Sequence, residues 1–360
     1  MKKIIILITF LFILTGCYDY KEINNLGIIS AIGIDYEDGK YIVTLEVLND
    51  QTDKDNAKIK SYTKTGSDKS LAKAIEAAAD KISDQANYTH VKLMILSETI
   101  IKDKFSNIID FFIRSTYFRE NFYVISSLDV SPKKILNNTT EENPIASSAI
   151  ISLLESLNYS SNSGVLKTYD QIIEEIVAFG KDTCFSNIML DDEQFKLDGL
   201  TIFDKYEYKT KLNNEEATIY NILTNNFYRP IFSQNYVNDK YFSIAMTSGN
   251  ISTEIKDNKI IITGSLNGKI MDNEPNFDIR DEDTLAMLND DFKKIMNNKL
   301  QNFLQKIQDN NSDILFLAES YYHKTREKSE NFWHNLKIES NIDFAISKKG
   351  LIYEVHDEEK

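Results

Sequence analysis

The chain has 360 residues, of which 42% are hydrophobic and 27% charged, the balance of an ordinary globular protein that can bury a core. Its formal net charge is −14, and because a surface of that sign repels nucleic acid and anionic lipid headgroups, we expect neither as a ligand. The length allows two or three domains.

Residues 1–16 have the layout of an export signal. Two lysines supply a positive start, an apolar run follows over residues 4–13, and small residues lead up to Cys17. The apolar run is shorter than the about 20 residues that a transmembrane helix needs to cross a bilayer. We therefore expect a signal peptide that is cleaved between Gly16 and Cys17.

The cleavage point, Leu14-Thr15-Gly16-Cys17, resembles a bacterial lipobox. Small side chains at Thr15 and Gly16 admit the signal peptidase, and the Cys17 thiol takes a diacylglyceryl group, so we expect a lipoprotein with acyl chains of the palmitate type. Stable anchoring takes two lipid signals, and a diacylglyceryl group supplies two chains at once. The alternative is an ordinary secreted protein with a chance cysteine beside the cleavage site.

Predicted strands and helices alternate through the first half of the mature chain. Runs of β-branched residues predict strands, and apolar positions at helical spacing predict helices, the first capped by Ser70. Asp38-Gly39 is a predicted turn, and 50–68 is predicted to be a loop with one extended piece. The strands are expected at 26–35, 41–48, 91–96 and 122–128, and the helices after Ser70, within 98–115, from Ser131-Pro132, at 147–157 and at 169–179. This order favours an α/β or α+β arrangement.

The second half is predicted to combine a strand meander with one long helix. Residues 182–192 have a turn-like composition, so we place the domain boundary there, between an N-terminal domain of residues 17–187 and a C-terminal domain of residues 188–360. The helical part, residues 147–180, either belongs to the first domain or forms a separate lobe. Residues 194–203 are predicted to form a strand or a bent strand pair, and a capping box at Asn213 to Glu216 predicts a helix. Three strands are then expected at 241–248, 250–256 and 259–271, with turns at Ser248-Gly249 and Asp257-Asn258. The remaining predicted elements are helices at 284–308 and near 315–324 and strands at 337–346 and 351–355. The predicted fold class is α+β, multidomain, with mixed or antiparallel sheets flanked by helices.

No motif in the sequence carries recognisable chemistry. Metal-protease, nucleophile-elbow, phosphate-loop and dinucleotide patterns are all missing from it. The acidic runs at 191–193 and 281–283 lack calcium-loop spacing, and exposed loops or helix starts explain them better. We interpret His90 as a structural histidine, Cys184 as a small apolar filler and Trp333 as a packing residue, although an exposed Trp333 would be a candidate interface anchor. We predict no catalytic, cofactor-binding or metal-binding residue, and no disulfide once Cys17 is acylated.

A run that begins at the predicted cleavage site resembles a known family. Gly16 to Leu26, followed by Ile32-Gly33-Ile34-Asp35, is similar to the start of the Ger(x)C family, the lipoprotein C subunits of nutrient germinant receptors in bacterial spores. The segment from Thr89 to Leu93 resembles the family's Ser-His-x-Lys segment, although Thr89 replaces the serine. The positions that match the family signature are Asp19, Glu22, Ile23, Asn24, Gly33, Asp35, His90 and Lys92.

The resemblance implies a non-enzymatic receptor subunit without a cofactor. Such a subunit is held by lipid to the outer face of the spore inner membrane and works with a multi-pass A subunit and a transporter-like B subunit. One alternative is a solute-binding lipoprotein of a transporter, which would have two similar α/β lobes around a polar cleft. Another is a lipid-anchored hydrolase, which would need a nucleophile and base, or a metal cluster, in a pocket.

Overall fold

A computed structural model describes residues 26–49, 59–158, 163–237, 239–328 and 332–347. The strands are β1 (Leu26–Glu37), β2 (Lys40–Asn49), β3 (Lys60–Asp68), β4 (Gln85–Asn87), β5 (Leu93–Ser97), β6 (Tyr123–Ser127), β7 (Cys184–Asp191), β8 (Gln194–Asp204), β9 (Glu207–Leu212), β10 (Ile231–Val237), β11 (Lys240–Lys256), β12 (Lys259–Asn273) and β13 (Lys337–Ser347). The α-helices are α1 (Leu71–Ala79), α2 (Phe105–Arg114), α3 (Pro132–Asn137), α4 (Ala146–Glu155), α5 (Tyr169–Val177), α6 (Asn214–Leu223), α7 (Glu282–Asp309) and α8 (Leu317–Thr325). The strand predicted at 351–355 lies outside the described residues.

The first sheet is mixed and has nine strands. Its order is β3-β2-β1-β5-β6-β7-β8-β9, with β4 paired to the start of β1. β1, β5, β6 and β7 run parallel, whereas β2 and β3 at one side and β8 and β9 at the other pair antiparallel. The predicted turn at Asp38-Gly39 closes the β1–β2 hairpin with positive φ angles at both residues, which is the geometry of a two-residue hairpin turn.

Helices cover both faces of this sheet because the strands present apolar side chains on both sides. In β5, Leu93 and Ile95 join the core on one face while Met94 and Leu96 join the core on the other, as the two-residue period of a strand requires. The face that carries Met94 and Leu96 is covered by α1, α2 and α5. The face that carries Leu93 and Ile95 is covered by α3 and α4. The predicted α+β class with mixed sheets flanked by helices is confirmed.

The second sheet has the order β10-β11-β12-β13 and is covered by α7. β13 runs parallel to β12, and the other pairs are antiparallel. The predicted long helix is confirmed, and Asp281 caps it by accepting a hydrogen bond from the Thr284 N–H at 2.9 Å. Its buried stripe keeps one side toward the sheet and consists mainly of Leu288, Phe292, Met296, Leu300, Phe303, Leu304 and Ile307.

Some local predictions are wrong, each because a polar pattern has another role in the fold. No turn interrupts β11 at Ser248-Gly249, where the register instead shifts by a bulge and Gly249 pairs with Leu266. The turn-like segment 182–192 forms strand β7. Ser70 precedes α1, but its side chain makes no capping hydrogen bond in the described structure. The strands β9 and β10 were not predicted.

The first sheet continues across the position of the predicted domain boundary. β7 spans residue 187, and alternate residues of β7 face different cores: Phe185 packs against α2 and α5, while Cys184 packs against the core of the second sheet. The two halves of the chain are therefore joined through a shared sheet. The division at residue 187 itself stays a prediction.

Candidate functional site

The acidic runs have structural roles in the described chain. Asp281 caps α7, and Asp191 forms an ion pair with Lys196 at 2.6 Å across the β7–β8 hairpin. Within the residues that the structure describes, no group of three or more histidine, cysteine, aspartate or glutamate side chains is placed to hold a metal ion.

The described signature residues are split between the two ends of β1. Gly33 lies where α3 crosses the strand, and a Cβ there would stand 2.8 Å from the Pro132 Cβ, so this close approach requires glycine. Asp35 follows near the end of β1, is partly buried and accepts a hydrogen bond from the Tyr36 N–H at 2.8 Å. Both residues help to shape the hairpin end of the sheet.

His90 and Lys92 lie at the opposite end of the same sheet and are exposed. The Lys92 N–H donates to the Ser30 carbonyl at 2.8 Å, so Lys92 lies beside Ser30 of β1. Ser30 is five residues before Asp35, which is roughly 16 Å at the usual strand rise. The structure therefore does not bring the four described signature residues, Gly33, Asp35, His90 and Lys92, together into one site. Cys17, with Gly16, Asp19, Glu22, Ile23 and Asn24, lies outside the described residues.

A buried carboxylate on β2 was not predicted from the sequence. Glu46 is fully buried, and its oxygens accept hydrogen bonds from the Ser30 hydroxyl at 2.7 Å, the Ser61 hydroxyl at 2.9 Å and the Ala146 N–H at 2.8 Å. The last contact places the carboxylate at the N-terminal end of α4, where the helix dipole favours a negative charge. The signal in the sequence is a charged residue between two apolar residues, Leu45 and Val47, on a predicted strand.

A second cluster that sequence analysis missed joins the two halves beside α8, and we call it the joint. Its residues are 178–182 and 203–205 from one side and 311–322 from the other. Gly180 has a φ of +66°, and a Cβ at this position would lie 2.5 Å from the Glu319 nitrogen. Only glycine meets both conditions, because L residues rarely adopt that φ and the backbone of α8 leaves no space.

Two buried carboxyl groups hold the joint. Asp182 accepts from the Asp313 N–H at 2.7 Å and from the Lys205 N–H at 3.0 Å, and Asp313 accepts from the Leu317 and Ala318 N–H groups, each at 2.8 Å. Burial raises the pKa of Asp182, and it raises the pKa of Asp313 to about 7 against the lowering effect of its backbone hydrogen bonds.

Side-chain pairs reinforce the joint on its surface. Lys181 forms an ion pair with Glu319 at 3.1 Å, and the rings of Phe179 and Tyr322 meet edge to face with centroids 5.4 Å apart. The joint therefore combines backbone, charge and aromatic contacts. This arrangement suits the holding of two lobes in one orientation, and it offers no nucleophile paired with a base.

Trp333 is a core residue and not an interface anchor. It is 0% exposed in the core of the second sheet, and the Gln308 side chain donates to its carbonyl at 2.8 Å. Cys184 is likewise buried, which agrees with its interpretation as a small apolar filler.

None of the helices in the described ranges combines the length and apolar character that crossing a membrane requires. Large exposed apolar side chains among the described residues are spread over several elements. The most exposed of the large ones among the described residues is Tyr117, at 72%, in the loop after α2.

Comparison with known proteins gives two family models that together span most of the chain. The model described as spore germination protein N-terminal domain matches residues 19–188, and the model described as spore germination B3/GerAC like, C-terminal, matches residues 198–350. Spore germination protein KC of Bacillus subtilis (strain 168) is 22% identical over 94% of this chain and 93% of its own length. The putative spore germination protein YfkR of the same organism is 23% identical over 75% of this chain and 74% of its own length.

A solved structure shares the fold. The crystal structure of the GerBC protein matches 88% of this chain and 96% of its own chain with a TM-score of 0.53 at 14% identity. The family resemblance first seen around Cys17 is therefore supported over residues 19–188 and 198–350. This chain belongs to the Ger(x)C family of spore germination proteins.

Proposed function

We propose that this protein is a lipid-anchored, non-enzymatic subunit of a spore nutrient germinant receptor. It is held to the outer face of the spore inner membrane and works with membrane-embedded A and B subunits in receptor assembly or germination signalling. The observation that carries this proposal is the pairing of a lipobox at Cys17 with family models that begin at residue 19 and reach residue 350.

The short distance between anchor and sheet supports a role at the membrane surface. Leu26, where β1 begins, is the ninth residue after Cys17, and nine residue steps span at most about 30 Å when fully extended. Such an anchor confines the protein to two dimensions and raises its effective concentration for membrane partners without any affinity in solution.

The joint supports a scaffolding role better than a catalytic one. A sheet shared by both halves, together with the Asp182 and Asp313 contacts, favours a body that moves as one unit. A subunit of this kind can position its partners or pass on a change in their orientation.

The alternative of a solute-binding lipoprotein is less well supported. It expects two similar lobes, whereas the two described sheets have nine and four strands and different topologies. The alternative of a lipid-anchored hydrolase expects a nucleophile with a base or a metal cluster, and the described residues offer no metal cluster.

Gene deletion followed by a nutrient-triggered germination assay tests the proposal. The deletion strain should germinate slowly or not at all with at least one nutrient, and wild-type protein should restore the response. Cys17→Ala should fail to restore it and should leave the membrane fraction. Cys184→Ala, which removes the buried thiol and not the anchor, is the matched control and should restore germination.

Two outcomes would contradict the proposal. One is normal germination of the deletion strain in every nutrient tested, in a strain without other receptors of this kind. The other is full complementation by Cys17→Ala with unchanged membrane fractionation.

A further inference from the structure

The start of β1 marks the end of the first sheet from which the chain leads back toward Cys17. β4 pairs with β1 from Leu26 onward, so it lies at this end. Tyr88 follows β4 directly, and its ring contacts the ring of Phe118 with centroids 4.9 Å apart. The loop after α2 therefore lies at the end of the sheet closest in the fold to the predicted anchor.

We call residues 113–119, the end of α2 and the start of this loop, the tip. Phe118 packs inward against Tyr88 and also against Phe112, with ring centroids 4.7 Å apart in the second contact. Tyr117 is 72% exposed and Ile113 49% exposed. Inward packing of Phe118 fixes the loop while two large apolar side chains stay in solvent, which is typical of a contact surface.

Exposed cations occur in the tip and at the same end of the sheet as these apolar side chains. Arg119 is exposed within the tip, and Lys92 is exposed at the same end of the sheet. Arg114 is also exposed and forms a two-pronged ion pair with Asp110, with N–O distances of 2.8 and 3.0 Å. Residues 113–119 contain two arginines and no acidic residue, and they are flanked by the exposed carboxylates Asp110 and Glu120, so the tip lacks the acidic excess of the chain as a whole, whose net charge is −14.

Tyrosine beside arginine and lysine is the combination that anchors proteins at the membrane–water interface. The aromatic ring suits the boundary between headgroups and acyl chains, and the cations suit lipid phosphates. A protein hot spot of the same residue types would be expected in a closed, fully desolvated pocket, whereas Tyr117 borders an open groove and is 72% exposed.

We propose that the tip rests on the bilayer surface, with Tyr117 and Ile113 in the headgroup region and Arg119 toward the lipid phosphates. This inference rests on the proposed function, because it takes Cys17 as the anchor point. Anchor and tip then act together, and they fix the orientation in which the rest of the protein faces its partners.

A chemical tether tests the orientation without relying on lipidation in cells. The mature chain from Cys17 is coupled through that thiol to a maleimide lipid in vesicles of equal parts phosphatidylcholine and phosphatidylglycerol. Cys184 is buried and does not compete for the reagent. Tyr117→Trp then reports contact with bromine-labelled lipid, and the wild-type chain gives the background signal of the buried Trp333.

The matched control is Tyr241→Trp on β11. Residue 182 of the joint precedes β7, which runs parallel to β6, so the joint lies at the same end of the first sheet as the tip. Tyr241 is 45% exposed and lies 13 residues, roughly 40 Å along β11, from Glu254, which pairs with Lys324 of α8 near the joint. We expect bromolipid to quench the added tryptophan of Y117W by at least about twofold, because interfacial side chains sit about 5–10 Å into the headgroup boundary. The added tryptophan of Y241W should keep its emission.

A second measurement needs no substitution. Hydrogen exchange of residues 113–119 in the wild-type chain should slow when the chain is tethered to vesicles and should be unchanged when Cys17 is coupled to a soluble maleimide. No quenching and no protection on vesicles would overturn the inference, as would equal quenching at positions 117 and 241. Protection that appears only in native membranes, and not in pure lipid, would assign the tip to a protein partner and would also overturn it.

These outcomes are separate from failure of the proposed function. If Cys17→Ala stays in the membrane fraction of cells, the anchor is wrong, whatever the tethered chain does. If the anchor is right and the Y117W variant shows no quenching, only the orientation is wrong.

Discussion

Replacing Asp313 by asparagine should flatten the dependence of folding stability on pH. The carboxyl group is 4% exposed and lies beside a second buried carboxyl, Asp182, while the nearby charged groups at the joint are Lys205, Asp204 and the Lys181–Glu319 pair. Burial raises its pKa from the ordinary value of 3.8 to about 7, so the folded protein holds a proton that the unfolded chain has lost over this range.

The sign follows from where the extra proton is bound. Between about pH 4 and pH 7 the folded state binds more protons than the unfolded state, so its stability falls as the pH rises. The shift of about three pKa units corresponds to roughly 4 kcal/mol in total, of which about 3 kcal/mol falls between pH 5 and pH 8. Asp182, whose pKa is also raised by burial, contributes with the same sign.

The amide side chain of the D313N variant cannot ionise, so most of this pH dependence should disappear. The amide nitrogen cannot accept from the Leu317 or Ala318 N–H group, whereas both oxygens of the protonated carboxyl can, so one lost acceptor should destabilise the protein by about 1–3 kcal/mol at pH 5. At pH 8 the two proteins should be closer in stability, because the variant avoids burying a charge.

Urea denaturation at pH 5 and pH 8, followed by the fluorescence of the buried Trp333, measures both effects. Trp333 belongs to the same core as Leu317, so it reports on the part of the fold next to the joint. Asp309→Asn, which removes an exposed carboxyl four residues away, is the control and should leave the pH dependence unchanged. Equal pH dependence in wild type and D313N would refute the reasoning.

Two further predictions use matched pairs of substitutions. Gly180→Ala should destabilise the fold by about 2–5 kcal/mol, because a left-handed backbone and a Cβ 2.5 Å from Glu319 act together, whereas Gly39→Ala, with a similar φ and open space, should lose only about 1–2 kcal/mol. Glu46→Gln should lose about 1–3 kcal/mol, since an amide nitrogen replaces one of two buried acceptor oxygens, and Glu37→Gln on the surface should change stability by less than about 0.5 kcal/mol.

Chemical denaturation checks the glycine pair, and hydrogen exchange of the first turn of α4 checks the glutamate pair. Equal losses for the two glycine substitutions would mean that the contact with α8 is not tight. Unchanged exchange in α4 after Glu46→Gln would mean that the carboxylate does not hold that helix.

The elements with strong local periodicity were predictable from the sequence. The stripe of apolar residues in α7 repeats at helical spacing along the helix, so its identity does not depend on distant contacts. The capping box at Asn213 was predictable for the same reason, and both of its hydrogen bonds are present.

The elements that were missed depend on partners far away in the chain. β7 carries the buried polar residues Ser186 and Asn187, which mimic a turn in the sequence, and the Asn187 side chain accepts from Ser126, 61 residues earlier. At the joint, Asp182 contacts Asp313, which is 131 residues later in the chain, so no local sequence pattern predicts this contact. The family resemblance was predictable, yet its described signature residues do not mark a single site, since Asp35 and His90 lie at opposite ends of the sheet.

The proposed role depends above all on an acyl anchor at Cys17, and mass spectrometry of the protein extracted from spore membranes tests it most directly. We expect an N-terminal peptide that begins at Cys17 and carries the mass of a diacylglyceryl group. An unmodified Cys17, or a mature chain that retains residues 1–16, would contradict the anchor and with it the proposed function.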